Sequence, residues 1–214
     1  MRRPLRQLVL AALIAGASPS LAAYGTAAMR TAIAMDAYEA DRKEAAARLF
    51  ELAARAGNRF AQYRFAMMLR DGEAVSHEAN AEWRWLRRSA GAGLPQAQFE
   101  LARLYDEGAG VRQSYAVAAE WYGRAALQGQ ADAQVRLAEL QLAGLGTEVD
   151  PGSAIRWFRA AARAGHPDAQ RTLSHLYETG HGVGRDPVRA AYWRARAGSR
   201  QLHSPHEAGI DPVE

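Results

Sequence analysis

The stretch Ala97–Ala133, AQFELARLYDEGAGVRQSYAVAAEWYGRAALQGQADA, decides the fold because much of the chain repeats its pattern. Residues of the same type recur at a spacing of 36 and form a tryptophan column, a glycine column and an alanine column. A fixed period of about 20 to 50 residues is typical of proteins built from stacked structural repeats. The three columns are Trp85, Trp121, Trp157 and Trp193; Gly72, Gly108, Gly144 and Gly180; and Ala61, Ala97, Ala133 and Ala169.

Each copy predicts two helices. The first begins with Ala-Gln, carries apolar residues at helical spacing, and ends at the glycine column, where glycine can take a left-handed conformation. The second helix follows an N-cap position, and Pro151 and Pro187 occupy the first helical residue, where proline is favoured. Glu78 is a poor N-cap, so the second helix of its copy is predicted either to begin near Asn80 or to fray. Good N-cap residues stand in three copies: Ser114, Asp150 and Asp186.

The chain before Ala61 predicts a further hairpin that caps the stack. Its first helix is predicted over Gly25–Ala40, and Asp41 is predicted to cap the second, with Glu44 completing a capping box. The predicted fold is therefore all-α, a right-handed α/α superhelix (solenoid) of about five helix-turn-helix repeats of 36 residues. The predicted segments are a signal peptide (1–22), a capping hairpin (23–60), four repeats (61–96, 97–132, 133–168, 169–198) and a disordered tail (199–214).

The N-terminus predicts export. Arg2, Arg3 and Arg6 precede an apolar run over Leu8–Ala17, and a small-x-small cleavage site ends at Ala22. The run is too short to span a bilayer, which needs roughly twenty residues. The chain has no Cys to carry a lipid anchor. These features predict a periplasmic or secreted bacterial protein, cleaved near Ala22, with no membrane span after cleavage. The alternative is an uncleaved anchor or a buried N-terminal helix.

The charge of the mature chain argues against a nucleic-acid partner. The full chain carries a formal charge of +4, and the signal segment contains three Arg and no acidic residue, so the mature chain falls to +1. Nucleic-acid binding domains usually show a strong basic excess clustered on one face. With no Cys in an exported chain, stability must come from packing rather than from disulfides.

The repeated pattern A-x3-L-A/G-x2-Y-x2-G-x-G-V-x2-D-x3-A-x2-W-Y/F-x2-A-A-x2-G-x3-A resembles the Sel-1-like repeat family, which is related to the tetratricopeptide repeat. The resemblance covers Ala61–Gly198 and, more loosely, Gly25–Gly57. It implies an α/α superhelix that acts as an interaction scaffold, often in exported bacterial proteins. Some secreted members carry a disulfide in each repeat and have been linked to β-lactam binding. A chain without Cys does not belong to that branch.

The tryptophan column is predicted to be core rather than a ligand-stacking ladder, because its spacing follows the repeat. On that interpretation Trp121→Ala should cost roughly 3–5 kcal/mol. Trp83 lies off the column, two residues before Trp85. It is either extra packing within its repeat or an exposed anchor for a partner, a role in which Trp is enriched.

The sequence contains no pattern that predicts catalysis or a cofactor. There is no Cys nucleophile and no Gly-x-Ser-x-Gly elbow. His175, Glu178 and His181 follow one another at a spacing of three, which could converge on a metal. A structural metal site needs a fourth ligand and supporting contacts, so a solvated helix end is the preferred interpretation. The chain is predicted not to be an enzyme and to hold no metal or cofactor.

Specificity is expected where the copies differ. The third, seventh and tenth residues of each first helix share one face at i, i+4 and i+7, vary between copies, and are predicted to line a concave groove that binds a protein or peptide partner. The alternative is a module that binds peptidoglycan or polysaccharide, with or without hydrolytic action; an unselected solvent face would bind nothing. The predicted residues are Tyr63, Met67, Arg70, Phe99, Arg103, Asp106, Val135, Glu139, Leu142, Arg171, His175 and Glu178.

Overall fold

The computed structural model of the protein describes residues 26–74 and 80–198, and within these ranges the chain forms α-helices and no strand. This confirms the predicted all-α fold class. The predicted signal peptide and tail lie outside the described residues. The helices in chain order are α1 (Ala27–Glu39), α2 (Lys43–Arg55), α3 (Arg59–Arg70), α4 (Ala81–Gly91), α5 (Pro95–Glu107), α6 (Tyr115–Leu127), α7 (Ala131–Ala143), α8 (Pro151–Arg163), α9 (Pro167–Thr179) and α10 (Pro187–Gly198).

The chain divides into two compact units, one up to Leu101 and one from Ala102. In the first unit α1 packs on α2, α2 on α3 and α3 on α4. In the second unit each helix from α6 to α10 packs on the next in the same consecutive way. Packing between chain neighbours is the arrangement expected of helical repeats, in which each element contacts the elements before and after it.

The interior of the repeats combines small and large side chains. The alanine column that opens the repeats is fully buried, with 0% exposure at each of its four positions. Large apolar residues stand four positions later and are also buried, because the small residues let the helices approach closely while the large ones fill the remaining space. These large residues are Phe65, Leu101, Leu137 and Leu173.

A buried glutamine follows each of these alanines and ties one hairpin to the next. Its side-chain Nε2 donates a hydrogen bond to the carbonyl oxygen eight residues earlier, at 3.0–3.2 Å. The acceptor lies in the last turn of the preceding second helix, where carbonyls lack a partner within the helix. The donor and acceptor pairs are Gln62–Ala54, Gln98–Ala90, Gln134–Ala126 and Gln170–Ala162.

Most predicted caps are confirmed. Side-chain oxygens of the three N-cap residues accept backbone N–H groups from Val117, Ser153 and Arg189. In the repeat 61–96, the second helix (α4) begins directly after Asn80, as predicted. Glu78 lies outside the described residues. The glycine column has positive φ throughout, between 66° and 78°.

The capping box predicted at Asp41 is wrong. Asp41 has a φ of 56°, and α2 begins at Lys43 with Arg42 at the N-cap position and no side-chain capping bond. The tight turn between α1 and α2 requires a left-handed residue, and Asp is among the few non-glycine types that adopt this conformation readily. Asp41 therefore forms the turn rather than the cap.

The tryptophan column is buried only in part. Trp85 and Trp193 are 6% and 1% exposed, whereas Trp121 and Trp157 are partly exposed. In α6 the guanidinium of Arg124 lies 4.4 Å from the ring centroid of Trp121, and the next residue, Tyr122, is fully buried. The prediction that Trp121 is a core residue is therefore wrong: its ring lies at the edge of the core, and Tyr122 occupies the interior.

Two loop glycines leave no room for a side chain. A Cβ added to Gly146 would lie 2.2 Å from the backbone carbonyl carbon of Tyr115, at the start of α6. A Cβ added to Gly182 would lie 2.9 Å from the Cβ of Pro151, at the start of α8. Each loop thus packs against the first turn of the preceding second helix, which is a further contact between successive hairpins.

Candidate partner-binding surfaces

The predicted binding face is only partly accessible. Three of its residues, Met67, Asp106 and Val135, are each 6% exposed. The partly buried residues are Tyr63, Phe99, Arg103 and Leu142. The exposed residues are Arg70, Glu139, Arg171, His175 and Glu178. The role of this face in binding a partner stays a prediction.

Met67 and Val135 were predicted to face a partner, and the structure places them in the interior instead. Val135 belongs to the buried cluster of the second unit, together with Phe158 and Leu173. Burying an apolar side chain against a neighbouring helix is favourable. A partner therefore has no access to these two side chains in the folded chain.

Asp106 is buried because it organises a polar cluster in the second unit. The Tyr122 hydroxyl donates to Asp106 Oδ2 at 3.0 Å, and Arg136 Nη2 donates to the same oxygen at 2.5 Å. Arg136 Nη1 also donates to Glu139 Oε2 at 2.5 Å, and the side chain of Gln113 donates to the Asp106 carbonyl at 2.8 Å. Asp106 therefore contributes to the structure between repeats rather than presenting a free carboxylate.

The pKa values of the cluster follow from this arrangement. Burial, followed by the charge of Asp106, raises the pKa of the Tyr122 hydroxyl above its usual value, so the hydroxyl keeps its proton and donates. Burial alone would lower the pKa of Arg136, but hydrogen bonds to Asp106 and Tyr122 raise it above its usual value. The Tyr122 phenol is therefore neutral and the Arg136 guanidinium is charged at neutral pH.

The first unit has the same contact with the charges exchanged. Arg70 Nη1 donates to Glu100 Oε2 at 2.9 Å. Arg70 and Asp106 occupy equivalent positions 36 residues apart, and so do Glu100 and Arg136. In both units the sequence has residues of opposite charge 30 positions apart. This spacing could have predicted that the residue at the position of Arg70 and Asp106 pairs with the next repeat.

The last hairpin holds Arg171, His175 and Glu178 of the predicted face. Glu178 accepts a hydrogen bond from Arg194 at 2.8 Å. His175 and His181 are exposed, and within the described ranges no three His, Cys, Asp or Glu side chains come close enough to hold a metal ion. A shallow depression of about 240 Å³ is lined by Arg171, Ser174, His175, Glu178, Arg194 and Ala197.

Aromatic side chains lie at the surface of the first unit. Phe60 is 38% exposed, and its ring centroid lies 6.5 Å from that of Tyr63, which is partly buried on the same helix. Burial, followed by the charge of Glu100, raises the pKa of Tyr63. The repeat period did not identify Phe60, because this residue lies one position before the predicted repeat that begins at Ala61.

Trp83 is also partly exposed, and the guanidinium of Arg87 lies 5.2 Å from the centroid of its ring. It therefore lies at the surface of α4 rather than wholly in the core. Its role as an anchor for a partner stays a prediction.

Consecutive packing of helical hairpins places the chain among the α/α repeat proteins. The Sel1 repeat profile matches residues 36–58, 95–130, 131–166 and 167–200, which together make up more than half of the chain. The chain therefore belongs to the Sel1 repeat family, whose fold is a scaffold that commonly mediates protein interactions. The matched segments leave out residues 59–94, which hold α3 and α4.

Solved structures support the same assignment. A Sel1 repeat protein from Oxalobacter formigenes is 28% identical over 78% of this chain and 69% of its own, with a TM-score of 0.73. A protective antigen of uropathogenic Escherichia coli with an SLR fold is 33% identical, with a TM-score of 0.68. That match covers 71% of this chain but only 32% of the antigen's chain.

An immunity protein from Pseudomonas aeruginosa shares the fold at 17% identity, with a TM-score of 0.52 over 91% of this chain and 81% of its own. No curated protein matches the sequence. Among the described helices, none combines the length and the apolar character that crossing a membrane would require.

Proposed function

We propose that the chain is an exported, non-catalytic scaffold that binds a protein or peptide partner along its first helices. The observation that carries the proposal is an aromatic pair on α3, in which the exposed Phe60 and the partly buried Tyr63 have ring centroids 6.5 Å apart. This helix belongs to the hairpin that the family profile leaves unmatched. Because this repeat does not match the family profile, we expect a binding surface particular to this chain to lie on it.

The surroundings of the pair suit a peptide or a partner helix. Tyr63 lies within electrostatic range of the Arg70–Glu100 ion pair, so an apolar patch adjoins groups of both charges. Aromatic residues and Arg are the types that dominate binding energy at protein interfaces. An apolar side chain of the partner would contact the rings while its polar groups meet Arg70 and Glu100.

Export is proposed from the first 22 residues, and the periplasm or the exterior of a bacterium is the proposed location. Mass spectrometry of the protein recovered from a periplasmic fraction would test this. The expected mature chain begins near Ala23; a full-length chain retained in the cytoplasm would contradict export.

Partner binding is tested by cross-linking in the periplasm and purifying the tagged chain. The wild type is compared with a variant carrying Phe60→Ser and Tyr63→Ser, and with Leu127→Ser as control, since Leu127 is an apolar residue of α6 that is 77% exposed. The double variant should lose a specific cross-linked protein that the control retains. Equal recovery of the cross-linked protein from all three chains would contradict the role of the aromatic pair. Retention on insoluble peptidoglycan, with no protein cross-linked, would contradict the proposal and favour the cell-wall alternative.

A further inference from the structure

The second helix of the hairpin outside the family match, α4, carries a cationic face. Arg84, Arg87 and Arg88 are all exposed. At 100° per residue the three lie within about 100° of one another on one side of the helix. Glu82 is the only acidic residue of α4, and its position is almost opposite Arg84. The face is therefore positive without an acidic residue of the same helix beside it.

The corresponding helix of the next repeat is different. In α6 the position equivalent to Arg84 is Glu120, which forms an ion pair with Arg124 at 2.5 Å. In α4 the same two positions hold Arg84 and Arg88, and like charges at i and i+4 destabilise a helix. The ion pair that Glu120 and Arg124 form in α6 therefore has no counterpart between these two positions of α4.

Two of the three arginines, Arg87 and Arg88, lie over aromatic rings of α4. The guanidinium of Arg87 lies 5.2 Å from the ring centroid of Trp83, and that of Arg88 lies 4.8 Å from the ring centroid of Trp85. Within the described part of the chain, neither Arg87 nor Arg88 has a carboxylate partner. A guanidinium that lies over an aromatic ring keeps N–H groups at its edge that can bind a carboxylate in bidentate fashion.

We propose that this face of α4 docks an acidic segment of a partner protein. The proposal commits to carboxylates because the arginines span only about 6 Å along the helix axis, which fits a few side chains rather than a line of phosphates. The partly exposed Trp83 beside them offers contact area for an apolar residue of the same segment. The inference rests on the proposed function only in taking the chain to be a binding protein, since its surface shares no residue with Phe60 and Tyr63.

The overall charge also favours a protein partner over a polyanion. The 27 basic residues are accompanied by 23 acidic ones, so the chain as a whole carries little excess positive charge to bind a nucleic acid or an anionic membrane. A short acidic segment would meet only the face itself. Specific recognition of this kind needs charge complementarity over a small area.

The test uses the full chain and a fluorescein-labelled peptide made of repeated Glu-Glu-Leu triplets, with fluorescence anisotropy as the readout. The test variant carries Arg87→Glu and Arg88→Glu. The control carries Arg124→Glu and Arg156→Glu, which change the net charge equally on exposed arginines of α6 and α8. Circular dichroism and thermal unfolding of both variants verify that they fold.

The test variant should bind the peptide at least about tenfold more weakly than the wild type, whereas the control should stay within about twofold. Equal losses in both variants, or no binding by the wild type, would overturn the proposal. Tighter binding of single-stranded DNA or of anionic phospholipid vesicles than of the peptide would also overturn it. A loss caused only by the Phe60 and Tyr63 variant would refute the α4 site while leaving the proposed function intact.

Discussion

Helices α4 and α6 hold equivalent places in successive repeats, yet their outward faces differ in charge. Each has a tryptophan in the same column, and each is followed by a glycine with positive φ. On α6 the outward Glu120 and Arg124 neutralise each other, whereas on α4 both positions are arginine. The repeat thus constrains the interior of a hairpin and leaves its surface free, either for pairing within the helix or for a partner.

The inward faces of the two helices differ as well. Leu86 of α4 and Tyr122 of α6 stand at equivalent positions, and both have 0% exposure. Leu86 has no polar group, while Tyr122 donates to Asp106. A polar interior position in one repeat is tolerated because the neighbouring repeat supplies Arg136.

The largest expected effect comes from the tryptophan column. Trp85→Ala in α4 should lower the free energy of unfolding by about 3–5 kcal/mol, because the ring is 6% exposed and packs edge-on against Phe65 at 5.9 Å. Trp121→Ala in α6 should cost about 2 kcal/mol, since its ring is partly exposed. Urea unfolding measures both, and a larger loss for Trp121 would contradict the difference in burial.

Next in size is the close contact at the start of α6. Gly146→Ala should cost about 3 kcal/mol, because the methyl group clashes with the backbone of Tyr115 and the residue has a positive φ. Gly165→Ala is the matched control: its φ is 90°, but no described atom lies within 4 Å of the added Cβ. The control should cost about 1 kcal/mol, and equal melting temperatures for the two variants would show that the loop does not press on α6.

The polar cluster beneath α6 should have an intermediate effect. Asp106→Ala leaves the buried Tyr122 hydroxyl without its acceptor and should cost about 2 kcal/mol. Glu120→Ala removes only an exposed pair on the outer side of α6 and should cost less than about 0.5 kcal/mol. Thermal and chemical unfolding of the two variants measures both losses. A loss for Glu120→Ala as large as that for Asp106→Ala would contradict the prediction that the buried contact of Tyr122 stabilises the chain more than the exposed pair.

The smallest effect on stability should come from replacing one arginine of the cationic face of α4 with a glutamate. Arg84→Glu places a Glu four residues before Arg88, as in α6, and should change the free energy of unfolding by less than about 0.5 kcal/mol. The same change should weaken binding of the acidic peptide. Unchanged or tighter binding of the peptide would contradict the assignment of this face to a partner.

The repeat period predicted much of this molecule because its main determinants are local. Glycine and N-cap positions depend on backbone conformation within a few residues, so the helix ends were predicted well from Gly108, Ser114 and Asp150 onward. Asp41 failed because the same residue type favours both a cap and a left-handed turn. The hydrogen bonds made by Gln98 and its equivalents were not recognised, although their regular spacing was visible.

The candidate surfaces were predicted less well, because side chains on one helical face can be buried by a neighbouring helix that the sequence does not identify. Met67 and Val135 follow the same spacing as the exposed Arg70 and Glu139, yet they are buried. The cationic face of α4 could have been found by comparing Arg84 with Glu120. That comparison requires each outward position to be aligned across repeats rather than each first helix alone.

Hydrogen exchange measured by mass spectrometry tests most directly whether α4, and not α6, binds an acidic segment. The full chain is exchanged with and without the Glu-Glu-Leu peptide at a saturating concentration, and the amides of the two helices are compared. Slower exchange over Ala81–Gly91, with no change over Tyr115–Leu127, is the predicted result. Protection of α6 to the same extent as α4, or of α6 alone, would contradict the claim that the hairpin outside the family pattern carries the binding surface.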